Sequence, residues 1–224
     1  MRTRRLHWGL AALIAAAGLV LGTSGTASAA TPSGDAYGYV VTGSTYTSST
    51  ADWTVPAISC GSAGSSSSYI SVWTGLDGYT SDTVEQIGSQ SACSGPTAEY
   101  YGWYELYPEA LMTFSQVVKP GDELEAAVSY AGSTFTLTLR NVTEGWSQTV
   151  RASLSGARRS SAETLVEVPA SYTCATRQTL AAVTGDTVDG VALGSLSPVK
   201  VTGGNSHITV SAVSGKTFTV SCTA

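Results

Sequence analysis

From residue 134 to 139 the chain alternates hydroxyl and apolar side chains one for one: Thr134, Phe135, Thr136, Leu137, Thr138, Leu139. A period of two sends Phe135, Leu137 and Leu139 to one face and the threonines to the other, the pattern of a half-buried strand. Lys216 to Val220 and Glu123 to Val128 alternate in the same way, and Ser206 to Val210 is strand-like. Turn signals separate these runs at Lys119-Pro120-Gly121-Asp122, Ala131-Gly132, Thr202-Gly203-Gly204-Asn205 and Val213-Ser214-Gly215. No helical period survives beyond the first thirty residues, and no internal repeat is found. The fold expected is all-β, a sandwich of two antiparallel sheets of the jelly-roll type, with residues 30–224 forming one domain. The Ser- and Gly-rich stretch Gly61 to Ser68 reads as a loop within that pattern, because strand signals resume at once.

The first residues belong to a different logic. Arg2, Arg4 and Arg5 precede an apolar run from Leu10 to Leu21, and Ala27-Ser28-Ala29 supplies a small-residue cleavage site. The run is too short to span a bilayer, which needs roughly 20 residues. Residues 1–29 therefore read as a secretory signal peptide cut after Ala29. That leader carries three arginines and no acid, so its loss takes the formal charge from −5 to −8. An acidic, sparsely charged chain without basic runs excludes coiled coils, charge-rich disordered chains and general nucleic-acid binders. A secreted location, no membrane contact after cleavage and a monomeric state are expected.

Export also decides how the four cysteines read. An even number in an oxidising compartment implies two disulfides, and local closure within each half of the chain favours Cys60–Cys93 and Cys174–Cys222. No C-x-x-C or Cys/His cluster exists, so neither a metal nor another cofactor is expected. His207 is the single histidine left after the leader, and it reads as a surface or satisfied histidine rather than as a catalytic base.

The most unusual segment runs from Ile70 to Glu109. It contains Trp73-Thr74-Gly75-Leu76-Asp77-Gly78, Val84-Glu85-Gln86-Ile87-Gly88, and Tyr100-Tyr101-Gly102-Trp103-Tyr104-Glu105-Leu106-Tyr107-Pro108-Glu109. As a strand, the last piece puts Tyr101, Trp103, Glu105 and Tyr107 on one face, and Tyr100, Gly102, Tyr104 and Leu106 on the other. Aromatic rings around a carboxylate fit a binding groove, and equally a core-facing aromatic strand with a glutamate at its rim.

Taken in order, these blocks resemble the glutamic peptidases (the eqolisin family, peptidase family G1). The family pattern of Trp-Val-Gly-Ile-Asp-Gly, a Leu-Gln-Thr-Gly-like piece, Trp-Tyr-Glu-Trp-Tyr-Pro and Ala-Glu-x-x-x-Glu is met by Trp73 to Gly78, Glu85 to Gly88, Trp103 to Pro108, and Ala162 to Glu167. Weaker matches fall at Ala51 to Pro56, Pro120 to Asp122 and Asn141 to Gly145. The resemblance implies a concanavalin-like sandwich and acid-acting hydrolysis of polypeptides by a glutamine–glutamate dyad, here Gln86 and Glu167, within reach of a hydrogen bond or one water. It further implies substrate-binding roles for Trp73, Asp77, Trp103 and Glu105. Such a dyad is chemically sufficient. An ionised glutamate takes a proton from water as that water attacks the carbonyl, then returns it to the leaving amine, while the glutamine amide donates to the oxyanion. An ordinary glutamate, with a pKa near ~4.3, suits acidic conditions. Glu163 shares a strand face with Glu167 and is expected beside the site or at its rim.

The sequence also departs from the family. Asp35-Ala36-Tyr37-Gly38-Tyr39 lacks a tryptophan that members carry there. Tyr101 replaces an aspartate, Val168-Pro169 follows Glu167 in place of Asp-Phe, and only a few residues separate Ala29 from the first strand where fungal members have a long propeptide. Three other readings stay open at this point: a carbohydrate-binding lectin-like sandwich, a glycosidase using Glu105 and Glu167, and an inactive family member kept as a binding protein. Asn141-Val142-Thr143 matches a glycosylation sequon but reads first as a turn.

Overall fold

The computed structural model describes residues 36–61 and 68–224. The leader and most of the Gly61 to Ser68 loop lie outside the described residues. The chain runs through β1 (Ala36–Thr42), β2 (Ser48–Thr54), β3 (Tyr69–Asp77), β4 (Val84–Ser94), β5 (Thr97–Tyr107), β6 (Met112–Thr113), β7 (Glu123–Ala131), β8 (Thr134–Asn141), β9 (Trp146–Ala152) and β10 (Ser161–Glu167). It continues through β11 (Gln178–Val188), β12 (Val191–Ala192), β13 (Val199–Val201), β14 (Ile208–Val210) and β15 (Phe218–Cys222). Among the described residues the helical content is one 3-10 turn, Leu193–Ser195, and no helix is long and apolar enough to cross a membrane.

The strands form two antiparallel sheets. The first has seven strands in the order β13-β1-β10-β3-β4-β5-β6, and the second has eight in the order β14-β15-β11-β2-β7-β8-β9. Alternation decides which side chains meet between them. Ile70, Val72, Leu76 and Ile87 from the first sheet pack with Leu124, Val128 and Val183 from the second. The threonine-alternating strand β8 supplies Phe135, Leu137 and Leu139, all fully buried. Trp53 donates from Nε1 to Ser89 Oγ at 2.9 Å, so even the polar atom of this large ring is satisfied between the sheets.

The expected disulfides both form. Cys60–Cys93 and Cys174–Cys222 have Cα separations of 5.6 and 6.2 Å. Two strand boundaries differ from the sequence reading. Lys216 and Thr217 belong to a turn closed by Ser214 and Thr217, so β15 begins at Phe218. β14 begins at Ile208 because the Asn205 side chain accepts from the His207 N–H at 2.9 Å and fixes the preceding residues as a turn. The sequon is a turn as well. Asn141 is fully buried, its Nδ2 donates to Asp122 Oδ2 at 2.7 Å, and its Oδ1 accepts from Glu144 N, leaving no free amide for a glycan.

Candidate active site

The face of the first sheet turned away from the second carries the sequence-matched residues, and strand register arranges them in rows. One row runs Val40, Glu163, Gly75, Gln86, Glu105. The next runs Gly38, Leu165, Trp73, Gly88, Trp103, and the next Ala36, Glu167, Ser71, Gln90, Tyr101. Directly opposed residues point the same way. Gln86, Glu105, Glu163 and Glu167 therefore share one face with both tryptophans, and Glu85 and Leu106 turn inward. An outward sheet face normally meets solvent, yet Trp73 and Trp103 are 4% and 3% exposed. Ala36, Val40 and Leu165 cluster with them, with Tyr79, Tyr101 and Val201 packed alongside. Side chains and loops wall this face in.

Two glycines shape its floor. A Cβ on Gly75 would sit 2.9 Å from the Glu85 carbonyl and 3.0 Å from Gln86 Cβ. A Cβ on Gly88 would sit 2.3 Å from the Val72 carbonyl and 2.6 Å from Trp73 Cβ. Both positions must stay bare, which leaves backbone open beside Gln86 and between the two indoles.

Gln86 is half-buried. Its Nε2 donates to Glu105 Oε2 at 2.5 Å, while its Oε1 is buried and accepts no hydrogen bond. The indole N–H groups of Trp73 and Trp103 are likewise buried without acceptors. Burial raises the Glu105 carboxyl above the ordinary range, and the Gln86 hydrogen bond partly holds it back. Glu163 is 2% exposed, and its Oε2 makes no hydrogen bond. Burial first, then the carboxylates of Glu167, Asp77 and Glu85, push its proton affinity well up. Glu167 is half-buried, opposite Ser71 and Ala36. It lies four residues along β3 from Gln86's row, about 13 Å at the usual strand rise, with the tryptophan row between.

Asp77, expected to contact substrate, closes β3. It is fully buried at a φ of 66°, where β3 leaves the sheet. Its Oδ2 accepts from the backbone N–H of Arg158 and Arg159 at 2.8 and 2.6 Å, and its Oδ1 from that of Ser160 at 2.8 Å. The carboxylate thus holds the loop that feeds β10. His207 is exposed in the turn before β14, an edge strand of the opposite sheet. A cavity of about 640 Å³ opens elsewhere, beside Cys60, Tyr172, Cys174 and Gln178, and among the described residues its lining includes no carboxylate.

Sequence reasoning did not find Glu85 or Asp186. Both are fully buried, with only the hydroxyls of Thr83 and Thr164 to ease their carboxyl groups. Burial, with Asp77 adding, raises Glu85 to about 8, and Thr83, then Arg159, offset only part of this. Burial raises Asp186 to about 7, with Thr164 easing it and Asp52 adding. The signal for Glu85 was present: alternation puts the neighbour of an outward Gln86 into the core.

The model of the Peptidase A4 family matches residues 35–222. The chain belongs to this family. Scytalidopepsin B of Scytalidium lignicola is 31% identical over 208 residues, covering 83% of this chain and 75% of that one. Aspergillopepsin-2 of Aspergillus niger is 33% identical over 131 residues, and the match spans 50% of this chain and only 46% of that relative. A crystal structure of scytalido-glutamic peptidase with a peptide-based transition-state analogue superposes with a TM-score of 0.67 at 25% identity, covering 83% of this chain and 97% of that one. A related structure, a member of the eqolisin family in complex with the tripeptide Ala-Ile-His, gives 0.64 at 24% and the same fold. The family resemblance read from the motifs and the sandwich read from the alternation thus describe the same protein.

Proposed function

We propose that this Peptidase A4 family member is a secreted glutamic endopeptidase that hydrolyses polypeptides at acidic pH, with Gln86 and Glu167 as its dyad. The observation that carries the reading is the shared outward face of Gln86 and Glu167 around a walled row of two tryptophans and a bare glycine. A peptide laid over Gly75 and Gly88 can approach the sheet closely there, with the indole N–H groups as donors. Its scissile carbonyl fits between the dyad residues. Ionised Glu167 takes a proton from a water on its side of that carbonyl, and the resulting hydroxide adds to the carbon. The second N–H of Gln86 Nε2, the one not given to Glu105, meets the developing oxyanion. Glu167 then passes its proton to the amine as the C–N bond breaks. No step calls on histidine, thiol or metal.

Trp73, Trp103 and Glu105 act around the substrate in this reading, Glu105 by holding the Gln86 amide. The relatives' names and their complexes with peptide ligands support the polypeptide substrate. The leader and the disulfides support export, after which the chain acts as a monomer. The test is hydrolysis of an unstructured protein across pH. Activity is expected to peak in the acidic range, to resist inhibitors of serine, cysteine and metal-dependent proteases, and to survive His207→Ala. Sensitivity to any of those inhibitors, or loss of activity in His207→Ala, contradicts the reading.

A further inference from the structure

Glu163 sits in the same row as Gln86, with only Gly75 between them. Because Gly75 has no side chain and no room for one, nothing in the sheet separates the two. The Gln86 amide is already oriented on one side, since Nε2 donates to Glu105 on β5. With its nitrogen turned to β5, Oε1 faces away from that strand, and this buried oxygen accepts no hydrogen bond. On the other side of Gly75, Glu163 has Oε1 packed against Gly78, where a Cβ would lie 2.4 Å away, and its buried Oε2 has no partner. Two buried acceptors in one row bond to each other directly only if one of them carries a proton.

We propose that protonated Glu163 is a positioning residue that donates a hydrogen bond, directly or through one water, to Oε1 of Gln86. Glu105 and Glu163 then hold the amide from both sides and fix the N–H that meets the oxyanion. The proposal rests on the Gln86–Glu167 reading and deepens it. Its chemistry is consistent with the surroundings. The charged groups acting on Glu163 are Glu167 on its own strand, Asp77 on β3 and Glu85 on β4, all acids that favour the protonated form, as burial does. Across the row Glu105 adds another carboxyl, and Val40 on β1 is apolar. Once Glu163 ionises, its oxygens repel Oε1, and the amide loses its fixed orientation.

The test compares Glu163→Gln and Glu163→Leu in the full enzyme, measuring kcat and KM across the pH range where circular dichroism shows the fold intact. Leucine removes the donor, so kcat is expected to fall about 10- to 100-fold with KM little changed, a misaimed oxyanion donor costing somewhat less than a deleted one. Glutamine keeps a donor that cannot ionise. It is expected to restore most of that kcat and to carry activity further toward neutral pH than wild type. Glu163→Leu at full kcat overturns the proposal, as does a folded Glu163→Gln that is as slow as the leucine variant or keeps the wild-type alkaline limb. If leucine prevents folding, the glutamine pH profile alone decides. Glu167→Gln is run alongside. Full activity there removes the underlying dyad, whereas an inactive Glu167→Gln beside wild-type-like Glu163 variants removes only the positioning role.

Discussion

Gly75 stands where the two halves of the site meet, with Glu163 on one side of it and Gln86 on the other. Any side chain there must push on the Glu85 carbonyl and on Gln86 Cβ, both within 3.0 Å of its first carbon. Neither is the free end of a flexible chain, so Gly75→Ala displaces β4. We expect it to cost about 1–3 kcal/mol of stability, the usual penalty of overpacking. We also expect kcat to fall more than KM rises, because the displaced group is the proposed oxyanion donor. Melting and steady-state kinetics on the purified variant check both, and unchanged kcat contradicts this account of Gly75. The residues of this face were legible in the sequence because a strand's period of two needs no long-range information. Trp103 and Glu105 had to share a face, as did Glu163 and Glu167. Asp77 was not legible in the same way. Its partners lie at 158–160, far along the chain, and its positive φ ends the alternation that would have oriented it.

The element that depends most on Asp77 is β10. Its entry loop is pinned by three backbone N–H groups donating to that one carboxylate. Asp77→Ala leaves those donors to partial solvent, and at about 1 kcal/mol each the loss is expected to be about 2–4 kcal/mol. Activity is expected to fall with it, since β10 carries both Glu163 and Glu167. Chemical denaturation of the variant measures the first effect, and a midpoint equal to wild type contradicts it. Element boundaries were less legible than element identity. β8 could be read directly from its threonines, whereas β14 and β15 each start two residues later than alternation suggests. Turn hydrogen bonds at Asn205 and between Ser214 and Thr217 capture the residues that the pattern assigned to strands.

At the scale of the whole molecule the core itself contains acids. Glu85 and Asp186 are buried between hydrophobic layers, with folded values of about 8 and about 7 against ordinary values of 4.5 and 3.8. Both are protonated in the folded protein at acidic pH, and both ionise at lower pH in the unfolded chain. The stability they contribute is therefore fully present below the ordinary values and is lost as pH rises through about 7 and 8. For Glu85 alone the swing is on the order of 5 kcal/mol. The melting temperature is expected to be highest in acid and to fall toward neutral pH, and Glu85→Gln and Asp186→Asn should each flatten that fall. A melting temperature that rises from acid to neutral pH contradicts it. The fold is thus matched to the acidic range that the proposed chemistry requires.

That chemistry turns on whether the carboxylate of Glu167 is the base. The most direct measurement is kcat of Glu167→Gln on a peptide substrate at acidic pH, with peptide affinity measured on the same preparation and Gln86→Ala as its companion. Glutamine keeps the shape and removes the base. We expect turnover to fall about 100- to 10,000-fold with peptide affinity near wild type, and Gln86→Ala to lose about 100- to 1000-fold, as for one oxyanion donor. A folded Glu167→Gln enzyme that turns over within a few-fold of wild type would contradict the account.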